Sequence, residues 1–145
     1  MINVGINGFG RIGRSITRII SKTKGMKIRV INEIDEDINN ASYLIKYDSI
    51  YGKINCDVKT NVKKNIISIN GNKIKFYSKK LIDEVPWKNY NLDIVIDATG
   101  VTKNIINSKK IIDKKLKKVL ITHSPDKYVD TTLIMGVNEK NYKYN

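Results

Sequence analysis

The sequence holds one cysteine, one histidine, one tryptophan and two prolines in 145 residues. With Cys56 alone, no intrachain disulfide can form, so a disulfide-stapled scaffold is excluded. No apolar run approaches the ~20 residues that cross a bilayer. The start, Met1-Ile2-Asn3-Val4-Gly5, has neither the basic residues nor the long apolar stretch of a secretion signal. A cytoplasmic chain without membrane contact is expected. Internal repeats and low-complexity linkers are also missing. Acidic residues are scarce, 14 against 27 basic ones, for a net charge of +13.

Arginine is scarce as well: Arg11, Arg14, Arg18 and Arg29 lie near the start, and every later cation is lysine. Lys, Ile, Asn and Tyr share AT-rich codons, and scattered lysine belongs to a solvated face. The aromatics are not interleaved with the basic residues as in RNA-binding motifs. A primary nucleic-acid role is therefore disfavoured despite the charge. Hydrophobic residues at 41 % and charged residues at 28 % suit a folded chain. The length predicts one domain, 1–145, that buries roughly two thirds of its unfolded surface.

Ile2, Val4 and Ile6 alternate as in a strand and lead into Gly8, Gly10 and Gly13. Ile12, Ile16, Ile19 and Ile20 then recur at helical spacing and predict the buried face of a helix closed by Gly25. Residues 27–32 read as a second strand, completing a β-α-β unit. A short helix is expected over 39–47, anchored by Leu44 and Ile45. Asn70-Gly71 is a strong hairpin signal between 67–69 and 73–76. The apolar run Leu92–Ile96 suits a buried parallel strand. A helix over 102–116 with Ile105, Ile112 and Leu116 on one face, and strands over 118–122 and 132–137, complete the pattern. Alternating strands and helices predict an α/β, Rossmann-type doubly wound fold, with a mainly parallel sheet and a small hairpin insertion.

Gly8-Phe9-Gly10-Arg11-Ile12-Gly13 fits G-x-G-x-x-G, preceded by a strand and followed by a helix, with Glu33 20 residues beyond the last glycine. In that context Gly8 permits the tight turn and Gly10 leaves the backbone open to a pyrophosphate. Gly13 lets helix and strand pack closely. The helix N-terminus offers N–H groups to phosphate. Glu33 can accept from the adenosine ribose hydroxyls and repels a 2′-phosphate, so NAD is expected rather than NADP.

The segment Asn3-Val4-Gly5-Ile6-Asn7-Gly8-Phe9-Gly10-Arg11-Ile12-Gly13-Arg14 closely resembles the N-terminal signature of the glyceraldehyde-3-phosphate dehydrogenase family. The resemblance continues at Ile31-Asn32-Glu33, Tyr47-Asp48-Ser49-Ile50-Tyr51-Gly52, Ile69-Asn70-Gly71, Ala98-Thr99-Gly100-Val101 and Met135-Gly136-Val137-Asn138. It implies that Arg11 and Ile12 line the pyrophosphate site with Asn7 beside them, that Glu33 stands at the ribose position, and that Asn32 belongs to the cofactor-binding residues. It also implies that Lys80 approaches the adenine, that Thr99 and Gly100 line the cofactor's crossing of the sheet edge, and that Thr122 lies near the nicotinamide. Thr102 and Tyr51 replace a customary Phe and His.

The family's reaction uses a cysteine thiolate in a Ser-x-x-Cys-Thr-Thr-Asn type motif beyond Met-Gly-Val-Asn. That motif and its activating histidine are not among these 145 residues. The chain by itself is therefore expected to be inactive, with no catalytic residue and no metal site of its own. Cys56 has no base in its sequence neighbourhood, and His123 reads as a loop residue near the cofactor. The expected partner is a separate catalytic-domain chain or further copies of this one, meeting across an exposed apolar patch. The same cofactor domain would serve an erythrose-4-phosphate dehydrogenase or a non-catalytic NAD- or RNA-binding module.

Overall fold

Val4 and Ile6 of β1 (Ile2–Asn7) are fully buried on one side of the strand, while Gly5 faces the other. A Cβ at Gly5 would lie 2.9 Å from the Trp87 ring, so the indole occupies the space a side chain would fill. β1 is an interior strand of a seven-stranded sheet with the order β5-β6-β7-β2-β1-β8-β9. The computed structural model describes residues 1–124 and 128–142.

β2 (Met26–Asn32) and β8 (Ile94–Asp97) flank β1 in parallel. β7 (Asn72–Tyr77) and β9 (Lys118–Ile121) extend the parallel sheet on either side. The hairpin signal is borne out: β6 (Ile66–Ile69) pairs antiparallel with β7 through Asn70 and Gly71, both at positive φ, and β5 (Val58–Asn61) forms the sheet's edge. A separate two-stranded ladder joins β3 (Tyr47–Asp48) and β4 (Gly52–Lys53).

The pairing of β2 slips by one residue, Val4 facing Ile28 and Gly5 facing Val30, so Arg29 is bulged out. The bulge sends Ile28 and Val30 to opposite faces, where each joins a different core. The first core includes Ile20 of α1 (Arg11–Ile20) and Ala41 and Ile45 of α2 (Ile38–Lys46). The second packs Ile111 of α3 (Thr102–Ile111) against Trp87, Leu92 and Val95. Helices thus cover both faces, as a doubly wound α/β sheet requires. No helix among the described residues is long and apolar enough to cross a membrane.

Three expectations are corrected. The face that α1 turns to the sheet is Gly13, Thr17 and Ile20; Ile12 and Ile19 are exposed. Close approach selects small residues there, and Thr17 satisfies its buried hydroxyl on the Gly13 carbonyl at 2.8 Å. α3 stops at Ile111 rather than 116, because the Asp113 carboxylate takes the N–H groups of Lys115 and Leu116. That turn drops Leu116 into the second core while Ile112 stays exposed. Residues 132–137 form no strand: Asn138 accepts from Ile134 N–H at 2.6 Å, and Val137 and Asn138 donate back to the Ile134 carbonyl.

Backbone donors also give the fold a contribution that acid removes. Leu116 and Lys115 hold the Asp113 carboxyl below its ordinary 3.8, and Tyr51 and Ile50 do the same for Asp48. A carboxyl whose folded pKa is depressed stabilises the fold fully above 3.8 and loses that contribution as pH falls through the lower folded value. The melting temperature is therefore expected to hold level from about pH 7 to about pH 5 and to fall below about pH 4. A melting temperature that stays level to about pH 2 would overturn this account.

Candidate nucleotide-binding site

The carboxyl ends of β1, β2, β8 and β9 meet at one edge of the sheet, and the buried side chains there are polar. Asn32 donates to the Asn7 side-chain oxygen at 2.8 Å, and Asn7 donates to Asp97 Oδ1 at 2.9 Å. Asp97 is fully buried; the same oxygen accepts from the Thr99 hydroxyl at 2.9 Å, and Oδ2 lies 3.4 Å from His123 Nε2. Its carbonyl accepts from the Thr122 N–H at 3.0 Å and hydroxyl at 3.1 Å. Asn32 further exchanges hydrogen bonds with the backbone of Lys79, at 2.9 and 2.8 Å. Asn104, buried in α3, donates to Thr99 Oγ1 at 3.0 Å.

Asn7, Asn32, Thr99 and Thr122 are thus brought together, with their side chains committed to one another and to Asp97. Asp97 is the residue that sequence reasoning passed over. Its only local signal is a lone carboxylate closing an apolar strand.

Above this floor lies the glycine turn. Gly8 sits at φ +90° and donates to the Asn32 carbonyl at 2.8 Å. A Cβ on Gly8 would come within 2.8 Å of the Ala98 and Thr99 backbone, and one on Gly13 within 2.0 Å of the Gly8 carbonyl oxygen. Gly10 differs, since a Cβ there would meet nothing within 4 Å. Two glycines are needed by the protein itself, and the third faces open space.

Gly10 is the N-cap of α1, with no side-chain cap and no acidic residue in the first turn. The first helical bond runs from Arg14 N–H to the Gly10 carbonyl, leaving the N–H groups of Arg11, Ile12 and Gly13 ahead of the ladder. The helix dipole, Arg11 and Arg14 make this end electropositive. A phosphate group fits such an end.

Glu33 is half-buried at the end of β2, and its carboxylate accepts from Phe9 N–H at 2.5 Å and Ile34 N–H at 2.7 Å. Phe9, Gly10, Arg14, Glu33, Asp35, Asn40, Ala41 and Leu44 line a half-open cavity of about 230 Å³. Lys80 is exposed on the loop after β7, and Gly100, at φ +73°, faces open space. A cavity of about 220 Å³ at the opposite edge, by Met1, Met26 and Ile69, includes none of the glycine-turn residues. No cluster able to hold a metal ion occurs among the described residues. Cys56 is half-buried, accepts from the Asn70 side chain at 3.3 Å, and packs against the first core.

The family model for the glyceraldehyde 3-phosphate dehydrogenase NAD binding domain matches residues 2–105. Glyceraldehyde-3-phosphate dehydrogenase 2 of Nostoc sp. is 40 % identical over all of this chain and 43 % of its own length. Glyceraldehyde-3-phosphate dehydrogenase 1 of Kluyveromyces lactis is 39 % identical over 98 % of this chain and 42 % of its own. The chloroplastic enzyme of Chondrus crispus is 40 % identical over 99 % of this chain and 34 % of its own. The chain therefore spans about two fifths of the length of such relatives. The glycine turn, the uncapped helix end, the acidic residue closing β2 and this match agree: the chain belongs to the family of glyceraldehyde 3-phosphate dehydrogenase NAD-binding domains, and NAD is its cofactor.

Proposed function

We propose that the chain carries the cofactor-holding part of a phosphorylating glyceraldehyde-3-phosphate dehydrogenase. The observation that carries this reading is the contrast among the glycines, Gly8 and Gly13 packed against backbone and Gly10 open. When bound, NAD supplies a hydride acceptor. The residues of this chain bind and orient it: Arg11, Ile12 and Gly13 offer N–H groups to the pyrophosphate, and Glu33 accepts from the adenosine ribose. Asn7 and Asn32 hold the strand ends beneath the cofactor, Lys80 flanks the adenine, and Thr99, Gly100 and Thr122 border the path toward the nicotinamide.

The aldehyde chemistry belongs to a catalytic domain, in the same polypeptide or a separate chain. Cys56 accepts a hydrogen bond from an amide, with no base among its described partners. The surface for that partner, or for further copies, includes Ile134, Met135 and Val137, which are 57, 82 and 76 % exposed. The chain acts in the cytoplasm.

Calorimetric titration with NAD, of the wild type and of Gly10→Val, tests the reading. Wild type is expected to bind NAD in preference to NADP, and the variant to lose about a hundredfold in affinity. Its melting temperature is expected to stay within about 1 °C, because the new side chain enters open space. A variant that binds like wild type, or a folded wild type that does not bind, would sink the proposal.

A further inference from the structure

The cavity beside the glycine turn contains a second carboxylate that the dinucleotide motif does not account for. Asp35 lines it together with Glu33. We infer that Asp35 is a specificity-determining residue, a second carboxylate that excludes dinucleotides phosphorylated on the adenosine 2′-oxygen. This inference rests on the NAD-binding reading above.

Asp35 does not hang loose. Its Oδ1 accepts from Asp37 N–H at 3.0 Å, and its Oδ2 accepts from the Asn40 side chain at 3.0 Å. Asn40, on the first turn of α2, lines the same cavity, and Asp37 caps that helix by accepting from the N–H groups of Asn39 and Asn40. The helix start thus fixes where the Asp35 charge sits, and those two hydrogen bonds hold its carboxyl below the ordinary range, so it is ionised at neutral pH.

Charge counting around the cavity shows what the second carboxylate does. Its lining holds two carboxylates, Glu33 and Asp35, and one cation, Arg14. Arg14 is turned toward the protein, with Nη1 donating to the Phe9 carbonyl at 2.9 Å. With Asp35 the lining is net negative; without it the charges balance. A ribose bearing only hydroxyls gains acceptors from such a wall, whereas a phosphate dianion is repelled by each carboxylate. Each carboxylate accepts two hydrogen bonds, Glu33 from the N–H groups of Phe9 and Ile34 and Asp35 from Asp37 N–H and the Asn40 side chain, so their partners neutralise the two alike. As a second carboxylate in the same lining, Asp35 therefore shares the discrimination with Glu33.

The test titrates NAD and NADP in parallel into wild type, Asp35→Asn, Asp35→Lys and Glu36→Gln. Asparagine keeps an acceptor for Asp37, and Asp35 is exposed, so the variant is expected to fold like wild type. Asp35→Asn is expected to raise NADP affinity about tenfold and to leave NAD affinity within about twofold. Asp35→Lys is expected to raise NADP affinity further, and the gaps should narrow with added salt. Glu36→Gln removes another exposed charge, outside the cavity lining, and is expected to change neither. Unchanged NADP affinity in both Asp35 variants, or an equal gain in Glu36→Gln, would overturn the inference while leaving NAD binding intact. A folded wild type that binds no NAD would overturn both this inference and the reading beneath it.

Discussion

Gly13→Ala is expected to lower the melting temperature by at least about 10 °C, whereas Gly10→Ala, three residues earlier, leaves it within about 1 °C. An added Cβ at 13 would stand 2.0 Å from the Gly8 carbonyl oxygen and 3.0 Å from its carbon, and neither is the movable end of a side chain. Gly8 cannot retreat, being pinned by its N–H to the Asn32 carbonyl and pressed against the Ala98 and Thr99 backbone. The helix would have to lift from β1, taking Thr17 and Ile20 out of their buried positions. Overpacking of flexible side chains costs about 1–3 kcal/mol, and a backbone-to-backbone clash exceeds that range. Thermal melts of the two variants decide the matter. A Gly13→Ala protein melting with wild type would show that α1 does not depend on this contact.

The second large effect concerns a buried cation that donates to backbone carbonyls. Arg18 is 8 % exposed on α1, and its Nη2 donates to the Ile45 carbonyl at 2.9 Å and the Gly52 carbonyl at 2.8 Å. It thereby satisfies the carboxyl end of α2, where a positive charge also complements the helix dipole, and fastens the β3–β4 ladder to the first core. Arg18→Met keeps the aliphatic stem and leaves both carbonyls without their donor. The expected loss is about 3 kcal/mol, or roughly 10 °C in melting temperature for a chain of this size. Lys24→Met, an exposed exchange, serves as the control and should move the melt by less than about 1 °C. Equal melts for the two variants would show that solvent satisfies those carbonyls instead.

Much of this architecture was legible because its signals are local. The alternation of Ile2, Val4 and Ile6, the Asn70-Gly71 turn and the glycine spacing each encode backbone geometry within a few residues. The misread parts depend on contacts between distant segments. Ile12 and Ile19 look like a buried stripe until the close packing of Gly13 on Gly8 rotates α1 and puts Thr17 inside. Leu116 looks helical because helical spacing does not reveal that Asp113 captures the next N–H groups. Arg29 gives no sign of its bulge, which becomes visible only in register with β1. In the site, the glycines and Glu33 could be found from the motif. Asp97 could not, since apart from Thr99 the side chains that meet its carboxylate lie 90 and 26 residues away at Asn7 and His123.

That buried floor also orders events in time. Its hydrogen bonds join Asn7 to Asn32, Asn32 to Lys79, and Asn7 to Asp97, separations of 25, 47 and 90 residues. The full set cannot close until β1 lies between β2 and β8 and β7 has joined β2, and parallel pairing across such long loops is the slow part of folding. The hairpin and helices can arise early from nearby residues, but the platform that receives the dinucleotide is completed last. Competence to bind is therefore a property of the finished sheet, and a nascent chain has no partial version of it to offer.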